Sequence, residues 1–201
     1  MTITYQVKNG IYVNMTNRCP CACTFCLRQN GPGVYGSAPL WLEREPTVEE
    51  ICADLDKWEL SQYDEVVFCG YGEPTERLED LLAVAKHLRS VSNIAIRINT
   101  NGLGDLIAGE PIAPKLAGLI DTVSVSLNTP NGEEYLAIVR PKFGKGSYEA
   151  MLRFTGECVH YVPHVVMTVV GEPVTSPEEQ QQCQAICDGL GVKLRVRPYE
   201  D

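Results

Sequence analysis

An α/β fold built on a parallel sheet is what this sequence predicts, and two observations predict it. Short runs rich in valine and isoleucine alternate along the chain with longer segments of helical period, and the cysteines, glycines and asparagines that break this pattern fall where the short runs end. The first strand is IYVNM (11–15), and TVEEICADLDKW (47–58) follows as a helix with Thr47 as its N-cap and Glu50 closing a capping box. DEVVFCG (64–70) is the second strand, leading into the helical ERLEDLLAVAKHLRSV. NIAIRIN (93–99) is the third, leading into a less regular stretch that ends in APKLAGL. DTVSVSLN (121–128) is the fourth, with helical patterns around EEYLAIV and SYEAMLRFTGECV behind it. VPHVVMTVV (162–170) and the helix SPEEQQQCQAICDGLG come next, and VKLRVRP closes the series as a sixth strand. Strands spaced in this way imply right-handed crossovers and a sheet that is open or curved.

A chain of 201 residues, 44% of them apolar, can bury one substantial core, so a single domain over residues 1–201 is expected. Its one irregularity is GPGVYGSAPLWLEREP (31–46), a long insertion and a candidate lid. There Tyr35, Trp41 and Leu42 either contact a ligand or pin the loop to the body, and pinning is the commoner role of such side chains. Lysine and arginine number 17 against 26 acidic residues, the formal charge is -9, and no basic run stands out, which disfavours nucleic acid as a partner. The segment MTITYQVKNGIYVNM lacks a basic stretch followed by a long apolar run, and no segment approaches the roughly 20 apolar residues of a membrane span. A cytoplasmic protein with no membrane partner is expected.

Nine cysteines without an export signal favour metal or cluster ligation over a disulfide framework. Cys52, Cys69, Cys158, Cys183 and Cys187 lie in segments of strand or helix pattern and read as small buried hydrophobes. Cys183 and Cys187 have the i, i+4 spacing of a metal pair, but no third ligand stands near them in sequence. His87, His160 and His164 read as ordinary core or surface residues.

The other four cysteines crowd into NRCPCACTFC, directly after the first strand. Cys19, Cys23 and Cys26 have the spacing C-x3-C-x2-C, compact enough for one loop to hold three corners of an iron-sulfur cube while the fourth iron stays open to another ligand. GYGEP follows the second strand, NTNG the third and SLN the fourth, so the unusual residues converge on the carboxyl rim of the sheet, where parallel α/β folds bind ligands.

This set resembles the radical S-adenosylmethionine (radical SAM) superfamily. The resemblance covers essentially the whole chain and implies a minimal (β/α)6 partial TIM barrel of parallel strands. It implies a [4Fe-4S] cluster on Cys19, Cys23 and Cys26, with S-adenosylmethionine chelating the open iron and cleaved reductively to a 5'-deoxyadenosyl radical that abstracts hydrogen from a substrate. Phe25 corresponds to the family's aromatic residue near adenine, and Asn14 and Thr16 to residues that brace the loop. Gly70, Tyr71, Gly72, Glu73 and Pro74 resemble the GGEP segment, whose glycines let backbone carbonyls reach the methionine amine. Ser126 and Arg140 resemble the ribose and carboxylate contacts, a guanidinium being suited to a planar carboxylate; Asn99, Asn101 and Asn128 are further candidates for binding the cofactor. Cys21 lies outside the family's spacing and reads as a non-ligand.

The runs CGYGEPTERLEDLLAVAKHL and VRPKFG are most similar to the small TatD-associated radical SAM proteins, which implies a possible functional link to a TatD-type hydrolase. The family also implies an electron donor such as flavodoxin or ferredoxin. Two readings from other classes compete: an iron-sulfur electron carrier and a zinc-binding interaction module. Neither needs the pocket formed by GYGEP, Ser126 and Arg140, and the zinc protein would be colourless.

Overall fold

The computed structural model describes residues 1–29, 31 and 37–199. Seven strands form one sheet in chain order: β1 (Thr4–Val7), β2 (Gly10–Val13), β3 (Glu65–Phe68), β4 (Ala95–Thr100), β5 (Thr122–Ser126), β6 (His164–Val170) and β7 (Lys193–Arg197). From β2 to β7 every pairing is parallel. Each crossover therefore steps one place in the same direction, and the sheet curls into part of a barrel whose two outer strands do not pair. This is the expected architecture, with one addition.

The addition is β1, which pairs antiparallel with β2 across a two-residue turn at Lys8 and Asn9. Its signal was in the sequence: the alternation in TYQV followed by KNG, an Asn-Gly hairpin mark.

Six helices fill the crossovers: α1 (Val48–Leu55), α2 (Leu78–Val91), α3 (Gly104–Ala108), α4 (Gly132–Val139), α5 (Ser147–Cys158) and α6 (Pro177–Leu190). The expected capping box at α1 is present, Thr47 accepting from the Glu50 amide and Glu50 from the Thr47 amide. Ser176 and Glu179 repeat it at α6, whose end is set by Gly191 in the left-handed region at φ 71.

Alternation along each strand separates two faces. Ile11, Val66, Ile96, Val123 and Met167 point outward into one core shared with the helices. Cys158, Cys183 and Cys187 belong to that core and are fully buried. Burial pushes the thiols of Cys158 and Cys183 up to about 12 and that of Cys187 up to about 11, so these are inert packing groups.

The inward face is polar. Register places Arg97 beside Thr122, Asn99 beside Ser124, Ser126 beside Thr168 and Thr168 beside Arg195. A closed barrel fills this space with branched apolar side chains. Here small and charged groups leave a cavity of about 850 Å³.

Candidate active site

Strand β2 ends at Val13, and the chain continues through Asn14 and Thr16 into the cysteine loop. Both side chains are buried and tie that entry to the described part of the insertion. Asn14 Nδ2 donates to the Leu40 carbonyl at 2.7 Å, and Thr16 Oγ1 donates to Glu45 at 2.6 Å. Asn17 adds two bonds, accepting from the Leu42 amide at 3.1 Å and donating to the Leu42 carbonyl at 2.7 Å. The insertion is thus sewn to the strand that launches the cysteines. Trp41 stays 47% exposed, yet meets the Tyr71 ring edge-on at 5.2 Å and carries the Arg28 guanidinium over its own ring at 5.8 Å. Leu42 is buried against the body while Trp41 stays half-exposed on Tyr71; Tyr35 lies outside the described residues.

On the other side the loop rests on the segment after α4. Thr24 N donates to the Ile138 carbonyl at 2.8 Å, Lys142 N donates to that of Pro20 at 2.8 Å, and Cys21 bridges Pro141. The VRPK segment therefore supports the loop through its backbone. Arg140, expected as a carboxylate contact, is placed away from the two chambers. It is the left-handed C-cap of α4 at φ 50, its exposed guanidinium bonds the Ala137 carbonyl of its own helix at 3.2 Å, and it does not line the cavity.

Three thiols, those of Cys19, Cys21 and Cys23, meet inside the loop. Hydrogen bonding among them lowers the Cys19 and Cys23 thiols and raises that of Cys21. Cys26 turns aside to accept from Arg28 Nε at 3.3 Å. Among the described residues no three cysteine, histidine or acidic side chains stand ready as a metal-binding set. Cys26 must swing from Arg28 for the three spaced thiolates to act together. As a donor set they fit a cluster: three soft ligands on one loop at the strand rim, beside open volume.

The GYGEP segment closes the site from β3. Gly70 and Gly72 have a packing reason to be glycine. A Cβ on Gly70 would lie 2.1 Å from Asn14 Oδ1, and one on Gly72 would lie 2.3 Å from the Thr16 carbonyl oxygen. Both positions let the segment lie against the entry to the cysteine loop, and Glu73 N donates to the Arg18 carbonyl at 2.8 Å. Tyr71 is buried and its hydroxyl donates to the Gly31 carbonyl at 2.6 Å. Pro74 starts a buried 3-10 turn, Pro74–Arg77.

Glu73 is only 4% exposed, and its carboxylate gathers the rim. Oε1 accepts from Thr75 N at 3.1 Å, Thr75 Oγ1 at 2.8 Å and Thr100 Oγ1 at 2.7 Å, and Oε2 accepts from Asn101 N at 2.7 Å. Burial raises its pKa above the usual carboxylate range although these donors pull the other way. Asn101 Nδ2 then reaches Cys21 Sγ at 3.6 Å, so the ends of β3 and β4 and the cysteine loop form one bonded unit.

A smaller chamber of about 200 Å³ opens between Gly70, Gly72, Glu73, Asn99, Asn101 and Ser126. Phe25, Cys23, Cys26 and Tyr71 face the larger cavity, which shares Gly70 and Asn99 with the smaller one. Asn128 is not brought there. It sits at φ 68, bonded to the Ser126 and Thr168 carbonyls, and turns the chain after β5.

The sequence profile of the radical SAM superfamily matches residues 13–182. The chain belongs to the radical SAM superfamily. Radical SAM enzymes use an iron-sulfur cluster and S-adenosylmethionine, and this chain offers the cysteine loop and an adjoining chamber at the place the fold provides. A GTP 3',8-cyclase of Corynebacterium glutamicum is 30% identical over 149 residues, covering 67% of this chain and 35% of the cyclase, so the chain spans about a third of that relative. A radical SAM methyltransferase from Sphaerobacter thermophilus superposes with a TM-score of 0.63 at 18% identity, over 98% of this chain and 69% of the enzyme. Streptococcus suis SuiB, solved with its precursor peptide SuiA, gives 0.68 at 15% identity over 94% of this chain and 39% of SuiB. At these identities the two structures establish the radical SAM fold alone. No helix among the described residues is long and apolar enough to cross a membrane.

Sequence reasoning missed part of this radical SAM site. Cys69 was read as core, but it follows β3 on the inner side and lines both chambers, its thiol raised by burial. Arg97, Arg195 and Arg197 also face inward. Their signal was the alternation in NIAIRIN and VKLRVRP, where Arg97 and Asn99 in the one and Lys193, Arg195 and Arg197 in the other stand at every second position and mark one face of a strand.

Proposed function

We propose that this radical SAM domain holds a [4Fe-4S] cluster on Cys19, Cys23 and Cys26 and binds S-adenosylmethionine in the chamber between Gly70, Glu73, Asn101 and Ser126. The observation that carries the reading is the shared wall. Cys23 and Cys26 of the loop and Gly70 of the GYGEP segment line the same cavity as the polar inner face of the barrel. Bound there, cluster and S-adenosylmethionine supply reductive cleavage of the C5'–S bond and a 5'-deoxyadenosyl radical able to take hydrogen from a substrate.

The chain's own residues do the positioning. Glu73 locks two strand ends to the loop, Phe25 offers a ring for an adenine, and Ser126 and Asn99 offer polar groups to a ribose or an amino acid moiety. Asn17 and Tyr71 fasten the insertion over the rim, which limits water near a reactive carbon centre. Cys21 stays outside the ligand set as a thiol packed beneath it.

A flavodoxin or ferredoxin is the electron donor this reading calls for, and the resemblance to TatD-associated members supports a functional link to a TatD-type hydrolase. Family membership supports the radical-forming step and leaves the substrate to the barrel interior. Anaerobic reconstitution followed by assay for 5'-deoxyadenosine tests the proposal; a colourless zinc protein, or a brown one that leaves S-adenosylmethionine untouched, would refute it.

A further inference from the structure

The interior beyond the cysteine loop has a charge opposite to that of the chain. Of the residues lining the large cavity five are basic (Lys8, Arg28, Arg97, Arg195 and Arg197) and two are acidic (Asp64 and Glu65), in a protein whose formal charge is -9. The acidic pair does not neutralise the arginines. Glu65 binds Arg97 Nη2 at 2.6 Å, and this same nitrogen reaches the Tyr12 hydroxyl at 3.3 Å. Nε of Arg97 is left buried without a partner, and so is Nε of Arg197 on the facing strand. Asn99 Oδ1, also unpartnered and buried, completes a polar patch between the chambers.

Arg195 and Arg197 project to the same side of β7, two residues apart, and Arg195 bonds none of the described carboxylates. Arg195 lies at the open edge of the sheet, where burial and the charges of Arg97 and Arg197 lower its pKa. Like charges gathered in a cavity cost free energy unless an anion joins them, and guanidinium forks match phosphate and carboxylate oxygens in pairs.

We propose that Arg97, Arg195 and Arg197, with Asn99, form the substrate subsite, and that the substrate carries a phosphate or carboxylate group held by this triad through the open side of the barrel. This rests on the radical reading above, whose site it extends. The anion anchors at β7 and β4, while the hydrogen to be removed points up toward the cysteine loop.

The test is isothermal titration of the reconstituted, S-adenosylmethionine-loaded protein at low ionic strength, with pyrophosphate and citrate as separate probes. The parent is expected to bind at least one, and which of the two binds more tightly tells phosphate from carboxylate. Arg197→Gln and the edge variant Arg195→Gln should each weaken binding about tenfold or more. Arg195 stands at an exposed edge, so its variant separates ligand binding from folding. Failure of both probes to bind the parent, binding undiminished in both variants, or binding only to reconstituted protein free of S-adenosylmethionine would overturn the assignment. The last result would give the arginines to the cofactor carboxylate. The 5'-deoxyadenosine yield of the same parent preparation reports separately on the radical reading.

Discussion

The carbonyl oxygen of Thr16 stands 2.3 Å from the position a Cβ on Gly72 would take, and that of Arg18 stands 2.7 Å from it. Residue 72 has no room for a side chain because the segment that leads from β2 into the cysteine loop passes against it. Gly72→Val should therefore act on the loop first. It should destabilise the apoprotein by about 1–3 kcal/mol or more and lower iron loading. Gly189→Ala in α6, where an added Cβ meets nothing within 4 Å, is the control and should stabilise by roughly 0.5–1 kcal/mol. Denaturant melts with iron analysis check both, and a Gly72→Val protein as stable and as iron-rich as the parent would show the contact to be unimportant.

Cys21 is the one buried cysteine of the loop, with Asn101 Nδ2 3.6 Å from its sulfur. Cys21→Ala should keep a [4Fe-4S] cluster, whereas Cys19→Ala, Cys23→Ala and Cys26→Ala should lose it. Iron and sulfide analysis with electron paramagnetic resonance decides; a Cys21 variant without cluster beside a Cys23 variant with one would reverse the assignment.

Glu73 predicts a pH effect whose sign follows from its raised pKa. A carboxyl more easily protonated when folded than when unfolded adds stability below its unfolded value, near 4.5, and that contribution is lost as pH rises through the raised folded value. The stability of the apoprotein relative to Glu73→Gln should accordingly fall as pH rises from about 4.5. Urea titrations of both proteins across that range measure it, and a constant difference would mean that the four donors hold the carboxylate at its ordinary pKa.

The insertion offers a contrast of magnitudes. Leu40 is fully buried beside Tyr5, Val7 and Tyr71, whereas Trp41 is largely open. Leu40→Ala should cost about 2–5 kcal/mol, and Trp41→Ala only about 0.5–1.5 kcal/mol from its ring contact. Equal losses by thermal or denaturant melting would contradict the division between anchor and cover.

What was legible in the sequence and what was not follows from period. Strands β2 to β7 and the capped helices α1 and α6 were readable, since valine-rich runs and Ser/Thr-x-x-Glu boxes act locally. The cysteine spacing was readable because one loop carries it. Strand β1 was passed over because its four residues were weighed only as a possible leader. The placement of Arg140 was not legible, because a left-handed cap turns the side chain back onto its own helix, which no motif encodes. The alternation placed Arg97, Arg195 and Arg197 on one face of their strands, but not which face, because a charge looks the same in sequence whether it faces solvent or a lumen, and curvature of the sheet decides which.

The most direct test of the central claim is a single anaerobic experiment on the reconstituted protein. Reduced with dithionite and given S-adenosylmethionine, it should change its electron paramagnetic resonance signal on binding and then slowly form 5'-deoxyadenosine and methionine in equal amounts, even without substrate. A brown, reducible protein whose signal is indifferent to S-adenosylmethionine and which forms neither product would contradict the account and leave an electron carrier in its place.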